Sequence, residues 1–186
     1  MRAMLMFVLT LPMTMACAPP PPEFRTTATV KDIMDSVIDP SADSVWGSVS
    51  YVATLTGTTE NFPRTDDEWK AVRRHAIALM EGSNMLLVPG RRVARPGEKA
   101  EDARVEHSPD DIEAMISHDR SSWTTLAHGL HDAATENLSA IEAKDVERLL
   151  TAGEVLDKAC ESCHVKYWYR VEPTGATPSQ RPSQGP

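Results

Sequence analysis

The chain has little of what staples small folds or builds sheets. Its 186 residues include three cysteines, and aromatic side chains make up 5%. So few cysteines exclude a disulfide scaffold, which needs several bridges to stand in for a core. Scarce aromatics beside plentiful Ala, Leu and Met favour helices over a sheet, and no stretch alternates in strand fashion. Positive charge is also short: 19 Lys and Arg face 27 Asp and Glu, a net charge of −8. That balance argues against nucleic acid and anionic lipid as partners. No Ser-His-Asp spacing, Gly-rich phosphate loop or paired-carboxylate motif is present, so the sequence supplies no catalytic machinery and no enzyme is expected. The length fits one domain with extensions.

The ends differ in composition from the middle. Met1-Arg2 followed by Ala3 to Leu11 is a basic start and a short apolar run, read as a secretory signal peptide over residues 1–17. Thr14-Met15-Ala16-Cys17 resembles a lipobox, with Thr14 where lipoproteins usually carry Leu. On that reading Cys17 is lipidated and tethers the protein to a membrane. The rival is cleavage at the small residues Ala16-Cys17-Ala18, which leaves Pro19 near a poor mature terminus. Residues 18–28, with prolines at Pro19 to Pro22, read as a stiff tether, and 172–186 as a disordered Pro, Ser and Gln-rich tail.

Between them, residues 29–171 carry four amphipathic segments. The first starts near Thr29 with Val30, Ile33, Met34, Val37 and Ile38. Asp39-Pro40 interrupts it, with Asp39 as cap and Pro40 opening a restarted helix through Val45, Trp46, Val49 and Val52 to Gly57. The second opens on the capping box Thr65-Asp66-Asp67-Glu68 and carries Trp69, Val72, Ala76, Leu79, Ser83 and Leu86 before Pro89-Gly90. A polar connection from Arg91 to His107 is long for a helical bundle, so it is either mobile or functional. The third runs from Ser108 through Ile112, Met115, Ile116, Trp123, Leu126, Leu130, Ala133 and Leu138 to Ile141 as one helix. A short break at Ala143 to Asp145 makes the fourth its antiparallel neighbour, with Val146, Leu149, Leu150, Leu156, Cys160, Cys163, His164 and Tyr167 on one face. The expected fold is all-α, an antiparallel four-helix bundle.

One motif lies on that last face. Cys160-Glu161-Ser162-Cys163-His164 is a C-x-x-C-H run, the pattern of a c-type haem attachment site. Two thiols three residues apart add to the two vinyl groups of one haem, and the histidine that follows is carried under the ring to the iron. A thioredoxin-like pair wants a strand before it and a helix N-terminus under the first thiol, and a structural zinc site wants a second close pair. Neither context is present. The cofactor expected is one covalently attached haem c.

A helical bundle with C-x-x-C-H on its last helix resembles the class II cytochromes c, the cytochrome c prime family, over about Val30 to Arg170. The long connection, the Asp39-Pro40 break and the tail depart from that pattern. The resemblance implies haem inside the bundle, attachment outside the cytoplasm and hence a periplasmic protein, with helix one facing the side opposite His164. Some low-spin relatives place a methionine there as sixth ligand; Met34 is the matching residue, although a methionine on an apolar helical stripe is ordinarily packing. The rivals are an empty sixth site, or a histidine among His75, His107, His118, His128 and His131. Trp46, Trp69, Trp123 and Trp168 read as core or rim packing, and Arg91 and Arg92 as propionate partners or a solvated turn.

Two functions follow from the resemblance. A six-coordinate iron held by His164 and Met34 carries electrons to a redox partner protein with a basic docking face. A five-coordinate iron binds nitric oxide or carbon monoxide instead. A subunit feeding a larger redox enzyme is a third arrangement. Class II bundles often form homodimers, though no apolar stripe here is plainly left over for one.

Overall fold

A computed structural model describes residues 23–55 and 57–170. The expected signal peptide, Cys17, the Pro19 to Pro22 run and the expected tail lie outside the described residues. The described chain is mostly helical, as expected from its composition, with one small two-stranded sheet.

The first helical rod has three contiguous pieces: α1 (Val30–Ile33), a π-helical turn (Met34–Ile38) and α2 (Asp39–Trp46). Thr29 and Asp32 close a reciprocal capping box at its start, with Asp32 N–H donating to Thr29 Oγ1 at 3.1 Å and Thr29 N–H to Asp32 Oδ2 at 2.9 Å. The expected break at Asp39-Pro40 does not occur, and Asp39 makes no side-chain cap. Proline has no N–H to give the preceding turn. The helix absorbs this by widening: the Asp39 N–H reaches back five residues to Met34 O, a π-type bond.

The rod ends at Trp46, and its expected continuation to Gly57 is instead an antiparallel hairpin, β1 (Ser50–Thr54) and β2 (Gly57–Asn61), in register Ser50↔Asn61 to Thr54↔Gly57. The apolar spacing of Val45, Val49 and Val52 suggested helix, yet Val45 and Val49 are buried while Val52 is 53% exposed. Tyr51-Val52 and Thr58-Thr59 are β-formers, and their strand preference prevails once the rod has no more core to cover.

The second segment behaves as its sequence promises. α3 (Asp66–Leu86) begins with the Thr65/Glu68 capping box and buries Trp69, Val72, Ala76, Leu79, Ser83 and Leu86. The third segment does not. It divides at Asp119 into α4 (Pro109–His118) and α5 (Arg120–Ala143). Asp119 leaves helical geometry and accepts from Ser122 N–H at 3.0 Å, capping α5. The Ser122 hydrogen bonds, then Lys166 at 3.0 Å, hold its carboxyl below the usual carboxylate range.

α6 (Val146–Tyr167) follows a tight turn in which Lys144 takes the left-handed conformation. Asn137 Nδ2 donates to Ala152 O at 2.9 Å, and Tyr167 Oη to Asp119 O at 3.4 Å, so α5 and α6 run antiparallel. Trp123 Nε1 donates to Leu86 O and Arg73 pairs with Glu142, which sets α3 antiparallel to α5. The first rod packs on α3, where a Cβ on Gly82 would lie 3.0 Å from Ile38 Cγ1. Trp46 ties the rod to α6 through its indole N–H on Gly153 O at 3.0 Å.

The long connection is built in rather than loose. Val93 and Ala94 are buried, and Arg92 O and Val93 O accept the N–H groups of Val30 and Lys31 at the start of α1. Its far end grips the chain just after the C-x-x-C-H motif: His107 N–H donates to Trp168 O, and Arg170 N–H to Val105 O, each at 2.8 Å.

Candidate functional site

α6 carries the motif deep in its course rather than at its start. Leu149, Ala152, Gly153 and Leu156 are buried along its inner face, and Tyr167 is buried beyond the motif. Between them the packing opens. Cys160, Cys163 and His164 are only partly buried, because that stretch of α6 borders two adjoining cavities instead of another helix.

The larger cavity is about 300 Å³; Ile38, Leu86, Trp123, Leu126, Leu130 and Ala159 form its apolar wall, and Asp39, Asp43, Asp157 and Glu161 also line it. Cys160, Cys163 and His164 enter it from α6, and Met34 and Asp39 from the first rod. The smaller, about 200 Å³, shares Met34, Asp39, Trp123, Cys163 and His164 with it and extends to Lys31, Glu106, Tyr167 and Trp168. Cavities that take small molecules and cofactors span about 300–1,000 Å³ and are mostly apolar with a few placed polar groups. The sequence-predicted site residues Met34, Cys160, Cys163 and His164 thus meet at one place, contributed by the first rod and the last helix.

The π turn decides which side chains of the rod arrive there. In an α-helix, residues five apart lie about 140° apart around the axis. With a bond closing from residue 39 back to residue 34, those two stack one turn above the other. Met34, Ile38 and Asp39 accordingly all line the larger cavity.

Both cysteines are free thiols. Burial pushes Cys160 up to about 12, helped by nearby Asp39 and Asp157, and pushes Cys163 up to about 11. These are neutral, weakly reactive thiols, unlike the activated thiolate of a redox pair at a helix N-terminus. His164 meets the Tyr169 ring edge-to-face at 6.0 Å, and its carbonyl accepts the N–H groups of Trp168 and Tyr169 as α6 ends. Asp39 keeps solvent access, yet desolvation of its carboxyl raises its pKa, partly offset by His164. Among the described residues no three His, Cys, Asp or Glu side chains converge as a metal-binding group.

The other sequence candidates fall elsewhere. His75, His107, His118, His128 and His131 line neither cavity. Arg91 is spent on the carbonyls of Met85 and Ala28, and Arg92 on Glu113 at 2.7 Å, so neither faces the motif. Trp123 lines both cavities, Trp46 the larger and Trp168 the smaller, while Trp69 lines neither. The sequence reading missed Lys31, Asp39 and Glu106 as wall residues. Pro40 was the available signal for Asp39; the other two depend on the folded connection.

Comparison with family models, curated proteins and solved structures found no match.

Proposed function

We propose that the protein is an exported mono-haem electron carrier, a four-helix bundle of class II cytochrome c type formed by the first rod, α3, α5 and α6. The observation that carries this reading is the meeting of Cys160, Cys163, His164 and Met34 at one cavity with an apolar wall. The residues present fit the group. Cys160 and Cys163 would hold the group through two thioether bonds; adding each S–H across one vinyl double bond would need no oxidant. His164 from α6 and Met34 from the first rod, which line both cavities, would offer an imidazole and a thioether. Haem bound there would supply one-electron chemistry, and a thioether ligand beside the imidazole would raise its reduction potential.

The protein's own part is to hold coordination constant and keep water out. Ile38, Leu86, Trp123 and Leu130 form an apolar wall that would lower the local dielectric. Trp123 is fixed by its indole bond to Leu86 O at 3.1 Å and by edge-to-face contact with Tyr167 at 5.3 Å. Acids at the rim, Asp43, Asp157 and Glu161, together with the net charge of −8, favour a basic partner and speed its approach at low salt. In this reading the mature protein lies outside the cytoplasm, tethered through Cys17.

The optical spectrum of protein matured with a haem-attachment system tests the reading. It should be six-coordinate and low-spin in both oxidation states, with slow uptake of carbon monoxide. High-spin ferrous protein that takes up the gas at once would instead identify a gas-binding protein.

A further inference from the structure

The charges around the two cavities are unevenly placed. Asp39, Asp43, Asp157 and Glu161 line the larger one. The smaller holds Asp35, Asp39, Glu101 and Glu106, and among the described residues Lys31 is the single Lys or Arg that lines it. A haem brings two carboxylates of its own, on the edge of the ring away from its vinyl groups. Burying those carboxylates among acids without a cation is costly.

The tether limits where that edge would lie. Cys160 reaches the larger cavity alone, whereas Cys163, His164 and Met34 border both. A ring fastened at both Cys160 and Cys163 would keep its vinyl edge toward the Cys160 end, leaving the smaller cavity, which Cys160 does not border, for its far edge. Resting on the haem reading above, we infer that Lys31 binds a propionate of the cofactor in the smaller cavity and so sets the orientation of the ring.

Lys31 is prepared for this. Its side chain is 24% exposed, with Nζ 3.2 Å from both Asp35 Oδ2 and Glu101 Oε1. Burial works against its charge, but those two carboxylates outweigh it and hold its pKa above the usual lysine value. Their own side chains are 55% and 68% exposed, so both can turn to water when a propionate takes the ammonium. The ion pair with Glu101 is not needed to fasten the long connection to the first rod. Arg95 pairs with Asp32 at 2.8 Å, and the N–H groups of Val30 and Lys31 already bond its backbone. Glu106 is committed too, accepting from the N–H groups of Glu101 and Asp102.

The experiment uses full-length protein matured with haem attached. In the ferrous carbon monoxide complex or the low-spin ferrous form, NMR should show cross-relaxation between the Lys31 ε-methylene and a propionate methylene. Lys31→Gln should move the propionate-bending band in the resonance Raman spectrum and lower the reduction potential, because losing a nearby cation favours ferric iron; Lys31→Arg should leave both close to wild type. Absence of the cross-peak in wild type, or an unmoved band in pigment-bearing Lys31→Gln, overturns the inference. If Lys31→Gln does not accumulate, the wild-type cross-peak alone decides. A product without covalent pigment overturns the haem reading and this inference with it, and mass alone identifies that outcome.

Discussion

On the proposed haem reading, Met34 is the residue on which the choice between carrier and gas binder turns. It is partly buried, packs against the core and borders both cavities, so a filler role and a ligand role place it alike. Substitution separates them. Met34→Ala should remove the weak sulfur-to-iron band of the ferric protein, convert much of the iron to high spin and open it to carbon monoxide, while both thioethers stay intact. An unchanged ferric spectrum in that variant would show that Met34 only packs. Its nomination was legible in the sequence because it shares the apolar side of helix one with Val30 and Ile33. Its pairing with Asp39 was not, since side-chain spacing does not record where a backbone bond skips one residue.

At the scale of elements, the π turn is the piece on which the site depends. It is held from behind by α3, where Gly82 leaves room for Ile38 and Val37. Gly82→Val would force those side chains away and disturb the rod at Met34. We expect a loss of about 1–3 kcal/mol in urea unfolding, together with a changed iron spin state, as overpacking of a tight contact costs. Full stability with a wild-type spectrum would remove the turn from the account. Capped ends read well from sequence: Thr65 with Glu68 and Ser108 before Pro109 stand where expected, because their chemistry is local. Two boundaries did not. The stripe from Ile112 to Ile141 continues in phase across Asp119, hiding a break made by that residue's own capping bond, and the valines after Trp46 keep helical spacing into a hairpin. The folded connection was equally hidden, because its order comes from partners distant in sequence, at Val30 and Trp168.

Across the whole molecule, acid should loosen the frame before neutral pH does. Hydrogen bonds from Arg104 hold Asp102 down to about 2, and backbone hydrogen bonds hold Asp32 and Glu68 below their ordinary values in the two capping boxes. A carboxyl whose folded pKa is depressed contributes in full above its unfolded value, near about 4, and loses that contribution as pH falls through the folded value. The urea midpoint should therefore fall between about pH 4 and pH 2, and a flat profile there would contradict these assignments. The central claim concerns Cys160, Cys163 and His164, and it is tested most directly by the mass of the exported chain. The mature protein, made in a bacterium competent for haem attachment, should weigh one haem more than its polypeptide with whatever lipid Cys17 carries, and keep its colour after denaturation and acid-acetone extraction. A colourless product at the bare polypeptide mass would contradict the account.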